Sequence, residues 1–266
     1  MKLIDSSVEI ISQKPGLQGI YEQIELAART AYKSLDLRQY DENGNSTTAK
    51  KMVDFLVDKK HGSCLEHGTV YLKMPTSEDF GYWYIDNKYS FVNIIDGYIY
   101  VTTNYRVLVE NNRLGDLNYI CEPTDMHVKR ITAKFICDRG VSHEFVRHRV
   151  FSFLMESQRY CNYTKDKFEE QITYIKPYWY DYANNEAKNL FGYTLSIAQS
   201  AYLLLVDKYK LKPEQARAVL PNATKTELIM TGTERQWEEF FKLRCDKAAH
   251  PDAQKLAIEL EGLIWK

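Results

Sequence analysis

The order of apolar and polar positions along the 266-residue chain predicts helices and strands mixed without a repeating β-α-β rhythm. GIYEQIELAARTAYKS, from Gly19, carries an apolar stripe at Ile20, Ile24 and Ala27 and reads as a helix. TTAKKMVDFLVDKKHG sets Met52, Phe55 and Leu56 at helical spacing and ends at Gly62, a residue type that caps helices. The period then changes to two: in TVYLKM, Val70, Leu72 and Met74 fall on one face, as in a half-buried strand. SFVNIIDGYIYVTT has two β-rich arms around Asp96-Gly97, a hairpin signal. RITAKFIC alternates again, and GVSHEFVRH after it predicts a short helix. Residues 187 to 210 predict a long helix with Leu190, Tyr193, Ile197, Ala201 and Leu204 in line. Pro213 opens a further short helix that Pro221 closes, KTELIMTG reads as a strand, and two helices finish the chain, the last opened by Pro251.

Hairpins beside clustered helices imply an α+β fold, a largely antiparallel sheet flanked by helices. No repeat or linker divides the chain, so one domain over 1–266 is expected. The polar, tyrosine-rich stretch at about 76–125 is expected as an inserted, hairpin-like subdomain at the periphery.

Charge and cysteine usage narrow the function. Lys and Arg number 35 against 36 for Asp and Glu, a net charge of −1, whereas a general nucleic-acid binder needs a basic excess. The five cysteines form no C-x-x-C pair, which suits free thiols in a reducing compartment. No apolar run of membrane-spanning length is apparent, so a cytoplasmic protein with no membrane or nucleic-acid partner is expected. None of the twelve glycines forms G-x-G, and there is no Walker loop or G-x-S-x-G elbow. Any nucleotide phosphates must therefore be held by side chains and helix ends. His143-Glu144 begins a pattern like H-E-x-x-H, but His148 comes five residues on, which places the two rings on different helical faces; no metal is expected.

The densest chemistry lies in RHRVFSFLMESQRY, residues 147–160. Arg147 and Arg149 share a side only if the segment is extended. Phe145, Val146, Val150, Phe151, Phe153, Leu154 and Met155 surround them, a costly setting for a guanidinium unless an anion completes it. Trp237, Phe240, Phe241 and Arg244 share one helical face, so Arg244 should point inward; Arg217 lies among Ala216, Val219 and Leu220. Planar arginine forks suit phosphate and imide oxygens, so a buried phosphorylated small molecule is the natural ligand. A module that stacks RNA bases on aromatics and arginines is the alternative reading, opposed by the neutral charge.

These residues resemble the flavin-dependent thymidylate synthases. The family motif is Arg-His-Arg, seven residues, then serine; here Arg147-His148-Arg149 is followed by VFSFLME and Ser157. The lead-in SHEFVRHR and the following Gln158-Arg159-Tyr160 match as well, as do HGSCLEH upstream and ARAVLP and TERQWEEFFKLR downstream. The resemblance covers most of residues 20 to 260 apart from the insertion. It implies reductive methylation of dUMP to dTMP, with methylenetetrahydrofolate as carbon donor, FAD as hydride carrier and NADPH as reductant. It also implies a homotetramer with sites shared between subunits. On this resemblance Glu144, Arg147, Glu156, Ser157, Gln158, Arg159 and Arg217 surround dUMP, and Arg244 polarises the uracil. Ser63, Glu66, Arg147, His148, Arg149, Thr233, Arg235 and Glu239 contact FAD, and His61 lies near flavin and folate. Met155 and Glu156 depart from the family pattern, in which a polar or acidic residue precedes leucine. Glu239 stands where an amide or histidine is common.

Overall fold

Strand β6 (Arg130–Asp138) and strand β9 (Lys225–Thr233) pair antiparallel along their whole length, from Arg130 opposite Thr233 to Asp138 opposite Lys225. A computed structural model describes residues 1–77, 79–165 and 171–266. β2 (Ser7–Ile11) and β7 (Ser152–Met155) flank the central pair in the order β2-β6-β9-β7, every pairing antiparallel. A second antiparallel sheet is built from β3 (Thr69–Pro75), β4 (Phe91–Ile95) and β5 (Tyr98–Asn104), with β5 in the middle. β1 (Lys2–Ile4) and β8 (Thr173–Ile175) make a small parallel pair. The fold is α+β with antiparallel main sheets, as the pattern of the chain implied.

Among the described residues, three apolar cores follow from these layers. In the first, α5 (Arg139–Phe145), α8 (Glu234–Arg244) and α9 (Pro251–Ile264) cover the four-stranded sheet. Phe135, Phe145, Trp237 and Phe240 are fully buried there, and Trp237 Nε1 donates to the Ile131 carbonyl at 3.1 Å, which satisfies the one polar atom of its ring. In the second, α1 (Gly16–Tyr32), α2 (Ala49–Asp58), α3 (Gly62–Leu65) and α4 (Tyr105–Glu110) pack with the three-stranded sheet around Ile24, Leu56, Val70 and Leu72. In the third, α6 (Asn185–Asp207) and α7 (Pro213–Ala216) close over β8.

The period-two reading of β3 holds, with Val70, Leu72 and Met74 all fully buried. The Asp96-Gly97 hairpin also holds: both residues have positive φ, 51° and 78°, as a tight two-residue turn requires. Gly62, expected to cap α2, instead opens α3, and α2 ends three residues earlier beside Lys59. The stretch at 76–125 is not peripheral. It supplies Tyr84, Ile99, Val101 and Leu108 to the second core.

The long helix α6 reverses its expected face. Leu190, Tyr193, Ile197 and Leu204, the predicted inward stripe, are 52–67% exposed, while Leu195 and Tyr202 are buried. The helix has apolar residues on several sides, so spacing alone did not decide which side meets the fold. By length and composition it is also sufficient to cross a membrane, a property the sequence reading overlooked.

Candidate active site

The Arg-His-Arg motif leaves α5 through a turn rather than an extended strand, so its two arginines are not buried in an apolar wall. Both are exposed, as are Val146 and Val150. Val150 adopts φ 73°, a strained region for a β-branched residue, and its carbonyl accepts a hydrogen bond from Gln236 Nε2 at 3.3 Å. The tight turn swings Arg147, His148 and Arg149 onto one cleft of about 510 Å³, opposite Thr233, Arg235 and Glu239 at the start of α8. Six of the residues expected around a flavin thus meet there.

The local sequence explains the far wall. Thr233 caps α8: its hydroxyl accepts from Gln236 N–H at 3.3 Å, while the Gln236 side chain accepts from Thr233 N–H at 2.8 Å. The reciprocal cap fixes the helix start, and with it the positive end of the helix dipole, beside the cleft. Gly232 precedes it because Phe151 fills the space; a Cβ there would lie 2.4 Å from the ring. Among the described residues, Arg147, Arg149 and Arg235 enter no ion pair. Glu239 already has a partner, Lys242 at 2.8 Å. The cleft therefore presents uncompensated cations, which suits an anionic ligand.

Arg244, at the end of α8, is bonded to His148 of the cleft wall. Its Nε donates to His148 Nε2 at 2.8 Å and its Nη2 to the Glu144 carbonyl at 2.7 Å, while Nη1 bonds the Glu144 carboxylate. The inward position predicted by the α8 stripe is confirmed. Burial, helped by the Arg244 charge, pulls the His148 pKa down to about 4, and its ring packs on Phe240 at 4.8 Å. His148 is therefore neutral at pH 7 with its proton on Nδ1, since Nε2 accepts from arginine. Of the five N–H groups on Arg244, these bonds use three, leaving two for a ligand.

A larger cavity of about 850 Å³ adjoins this cleft and shares Phe91, Val150, Phe151, Thr233 and Gln236 with it. Glu66 lines it, held by Arg106 at 2.6 Å. Part of its wall comes from residues 87–91 and 104–111, so the stretch expected as a peripheral insertion borders it. Ser63 lies exposed on α3.

The remaining predicted residues lie elsewhere, none of them in the wall of the 510 Å³ cleft. Ser157 N–H donates to the Ala31 carbonyl at the end of α1. Arg159 is exposed and reaches Glu214 on α7 at 3.6 Å. His61 Nδ1 is 2.9 Å from the Tyr32 hydroxyl, and the Tyr32 ring meets Tyr160, so His61 belongs with this second group. Arg217 is half-buried just beyond α7 beside Val219, which is exposed rather than packed around it. Gln158 is buried. Glu156 is buried too and is committed to lysines: Lys225 at 2.9 Å and Lys33 at 3.5 Å. These lysines also clasp Glu227, which Lys134 approaches at 3.3 Å, and their charges outweigh burial to hold the Glu227 carboxyl at about 2. Glu156 is thus part of a buried charge network and has little left to offer a nucleotide.

Sequence reasoning missed Arg139 and Arg130. Arg139 sits at the start of α5, 3.8 Å from Met155 Sδ and 3.4 Å from His143 Nε2. Burial chiefly, with the charge of Arg217 adding to it, lowers its pKa below the usual arginine range. The signal for both was an arginine at one end of the alternating strand that contains RITAKFIC.

Residues 126–266 match the family described as thymidylate synthase complementing protein. Two relatives bear the name flavin-dependent thymidylate synthase: one from Geobacter sulfurreducens, 34% identical over 126 residues, and one from Mycolicibacterium gilvum, 31% identical over 135 residues. The matches cover 47% and 46% of this chain and 52% and 51% of those proteins, so the chain spans about half the length of the relatives it matches. A solved structure of a UMP/dUMP methylase from Streptomyces cacaoi, bound with 5-Br dUMP, aligns over 99% of this chain and 92% of that one, at 17% identity and a TM-score of 0.47.

Proposed function

Because the chain belongs to the thymidylate synthase complementing protein family, we propose that it methylates dUMP reductively to dTMP, with methylenetetrahydrofolate as carbon donor, FAD as hydride carrier and NADPH as reductant. The observation that carries this reading is the convergence of Arg147, His148, Arg149, Thr233 and Arg235 on one cleft, with Arg244 bonded to His148 of its wall. The donor set fits a flavin dinucleotide: unpaired guanidinium forks and a helix N-terminus serve phosphates where no glycine-rich loop exists. The residues that would hold FAD are Arg147, His148, Arg149, Thr233, Arg235 and Glu239, with Ser63 and Glu66 toward the larger cavity. Bound there, FAD would supply hydride chemistry that no amino-acid side chain provides.

The side chains themselves bind, orient and polarise. Arg244, with two N–H groups free, would stabilise the ionised imide of the uracil, and Glu144 holds its fork in place. Neutral His148 accepts from Arg244 and so cannot compete with it for the same negative charge. Ser157, Gln158, Arg159 and Arg217 would take the nucleotide, with Arg139 beside Arg217 as an additional cation for its phosphate.

Since Ser157, Arg159, Arg217 and His61 do not wall the cleft, the complete site is formed between subunits of a homotetramer. The exposed apolar stripe of α6 supports this assembly, because its four large side chains are each more than half exposed in the monomer fold. A cytoplasmic location accords with five free thiols. The test is the visible spectrum of the purified full chain before and after addition of FAD. Flavin absorbance that stays with the protein on gel filtration is expected; a colourless protein that takes up no FAD contradicts the reading.

A further inference from the structure

The charges around Glu156 form a closed circuit. Lys225 Nζ lies 2.9 Å from Glu156 Oε2, Lys33 Nζ lies 3.5 Å from the same oxygen, and both lysines also pair with Glu227 Oε1. Two cations and two anions thus alternate, drawn from three segments: Lys33 just past α1, Lys225 and Glu227 at the start of β9, and Glu156 just after β7. Burial alone would raise the Glu227 carboxyl, yet the two lysines hold it at about 2. The Glu156 side chain is 2% exposed, so removing its charge would not be made good by water. Lys33 and Lys225 would then share Glu227, which Lys134 also approaches.

The circuit sits at the root of a short turn. Glu156 N–H donates to the Glu227 carbonyl at 2.8 Å, and Ser157 N–H to the Ala31 carbonyl at 3.0 Å. The Ser157 carbonyl then accepts from Tyr160 and Cys161 N–H at 3.1 and 3.0 Å, which closes the turn over residues 157–161. Three consecutive residues at the end of α1 serve this group: Ala31 holds Ser157, Tyr32 meets His61 and Tyr160, and Lys33 takes Glu156. On its outer side the turn has a weaker hold, since Arg159 and Glu214 are both exposed and 3.6 Å apart. The buried attachment at Glu156 therefore does most to set where Ser157 and Arg159 stand.

We propose that Glu156 is a positioning residue: through Lys33 and Lys225 it fixes the 157–161 turn so that Ser157 and Arg159 are pre-placed for the nucleotide. The inference rests on the reading that this turn takes dUMP, and it adds a residue that acts on the substrate without touching it. Side chains carried on a turn fixed from beneath lose less freedom on binding than the same side chains on a loose one.

The experiment is calorimetric titration of the full chain with dUMP and, separately, with FAD, for wild type and Glu156→Gln, together with amide hydrogen exchange of both ligand-free proteins. Glutamine keeps the shape of the side chain and removes its charge. Affinity for dUMP should fall about tenfold or more, and the Ser157, Tyr160 and Cys161 amides should exchange faster. Affinity for FAD and exchange in the β3–β5 pairing should not change, because the circuit lies in neither. Equal weakening of FAD, or faster exchange throughout, would overturn the proposal by showing a general loss of structure. Unchanged or tighter dUMP binding would also overturn it, the tighter case showing that Glu156 merely offsets lysine charge. If the glutamine variant does not fold, Glu156→Asp, which keeps the charge and shortens the reach, decides by the same readings. A wild type that binds no dUMP refutes the nucleotide reading. Faster exchange of the turn in the variant then still upholds the fixing role of Glu156, and unchanged exchange overturns it.

Discussion

Arg244 donates from Nε to His148 Nε2 across 2.8 Å, so the last residue of α8 adds to burial in keeping the middle residue of the Arg-His-Arg turn neutral. Two segments almost a hundred residues apart thereby form one corner, and Glu144 fastens it from α5. The corner keeps a guanidinium aimed with N–H groups to spare and prevents the neighbouring imidazole from adding a second, movable charge.

Replacing Arg244 with alanine should therefore have two effects. Formation of dTMP should drop by about two orders of magnitude or more, as happens when an oriented donor to developing negative charge is removed. The His148 pKa should rise from about 4, because a nearby cation is gone and water gains access. A pH titration of the His148 ring by NMR reads the second effect without any turnover. A midpoint that stays near 4 would show that Arg244 has no hold on the ring.

Neither Ser157 nor Cys161 should act as a nucleophile. Cys161 is fully buried. The Ser157 hydroxyl accepts from Arg159 N–H at 3.3 Å, and among the described residues no base is hydrogen-bonded to it. Ser157→Ala and Cys161→Ala should each retain measurable dTMP formation. A dUMP adduct on either residue, detected by mass spectrometry during turnover, would contradict this.

The sequence revealed those parts of the fold in which a strict period coincides with burial on one side. β3 and the Trp237–Phe240–Phe241–Arg244 face of α8 are such cases, and the Asp96-Gly97 turn was legible from residue type alone. Strands β1, β7 and β8 have three or four residues, too few to show a period. The face of α6 was misread because Leu195 and Tyr202 are as apolar as the exposed stripe, and only the partner element selects between them. In the site, the motif residues were legible but their setting was not. Whether Arg147 and Arg149 are buried depends on the turn at Val150, a conformation that β-branched side chains rarely adopt. Glu156 was expected at the nucleotide, and its capture by Lys33 and Lys225 depends on contacts between distant segments.

Stability should fall on mild acidification. Burial holds His67 near pKa 3 and His148 near 4, against 6.5 for a free imidazole. Between those values and 6.5 the unfolded chain binds more protons than the folded one, so stability is present above about 6.5 and is lost as pH falls toward 4. Each group contributes a slope of about 1.4 kcal/mol per pH unit within its window. Glu227, held at about 2, adds a further loss as pH drops below 4.5. Urea unfolding at pH 7.5, about 5.5 and about 4.5 checks this. His67→Gln should flatten the curve, and a wild-type stability unchanged from pH 7 to 4.5 would contradict it.

Charge placed on the exposed face of α6 should disrupt assembly. Leu190, Tyr193, Ile197 and Leu204 would each contribute about 1.5–3 kcal/mol if buried against a neighbouring subunit. Leu190→Glu with Ile197→Glu should leave the fold intact and lower the mass measured by light scattering. An unchanged mass would place the subunit interface elsewhere.

The most direct measurement of the central claim is turnover by the purified full chain supplied with dUMP, methylenetetrahydrofolate, NADPH and FAD. The cleft geometry predicts dTMP that appears only when flavin is present and that disappears in Arg244→Ala. Flavin bound with no dTMP formed, or dTMP formed at the same rate by Arg244→Ala, would contradict it.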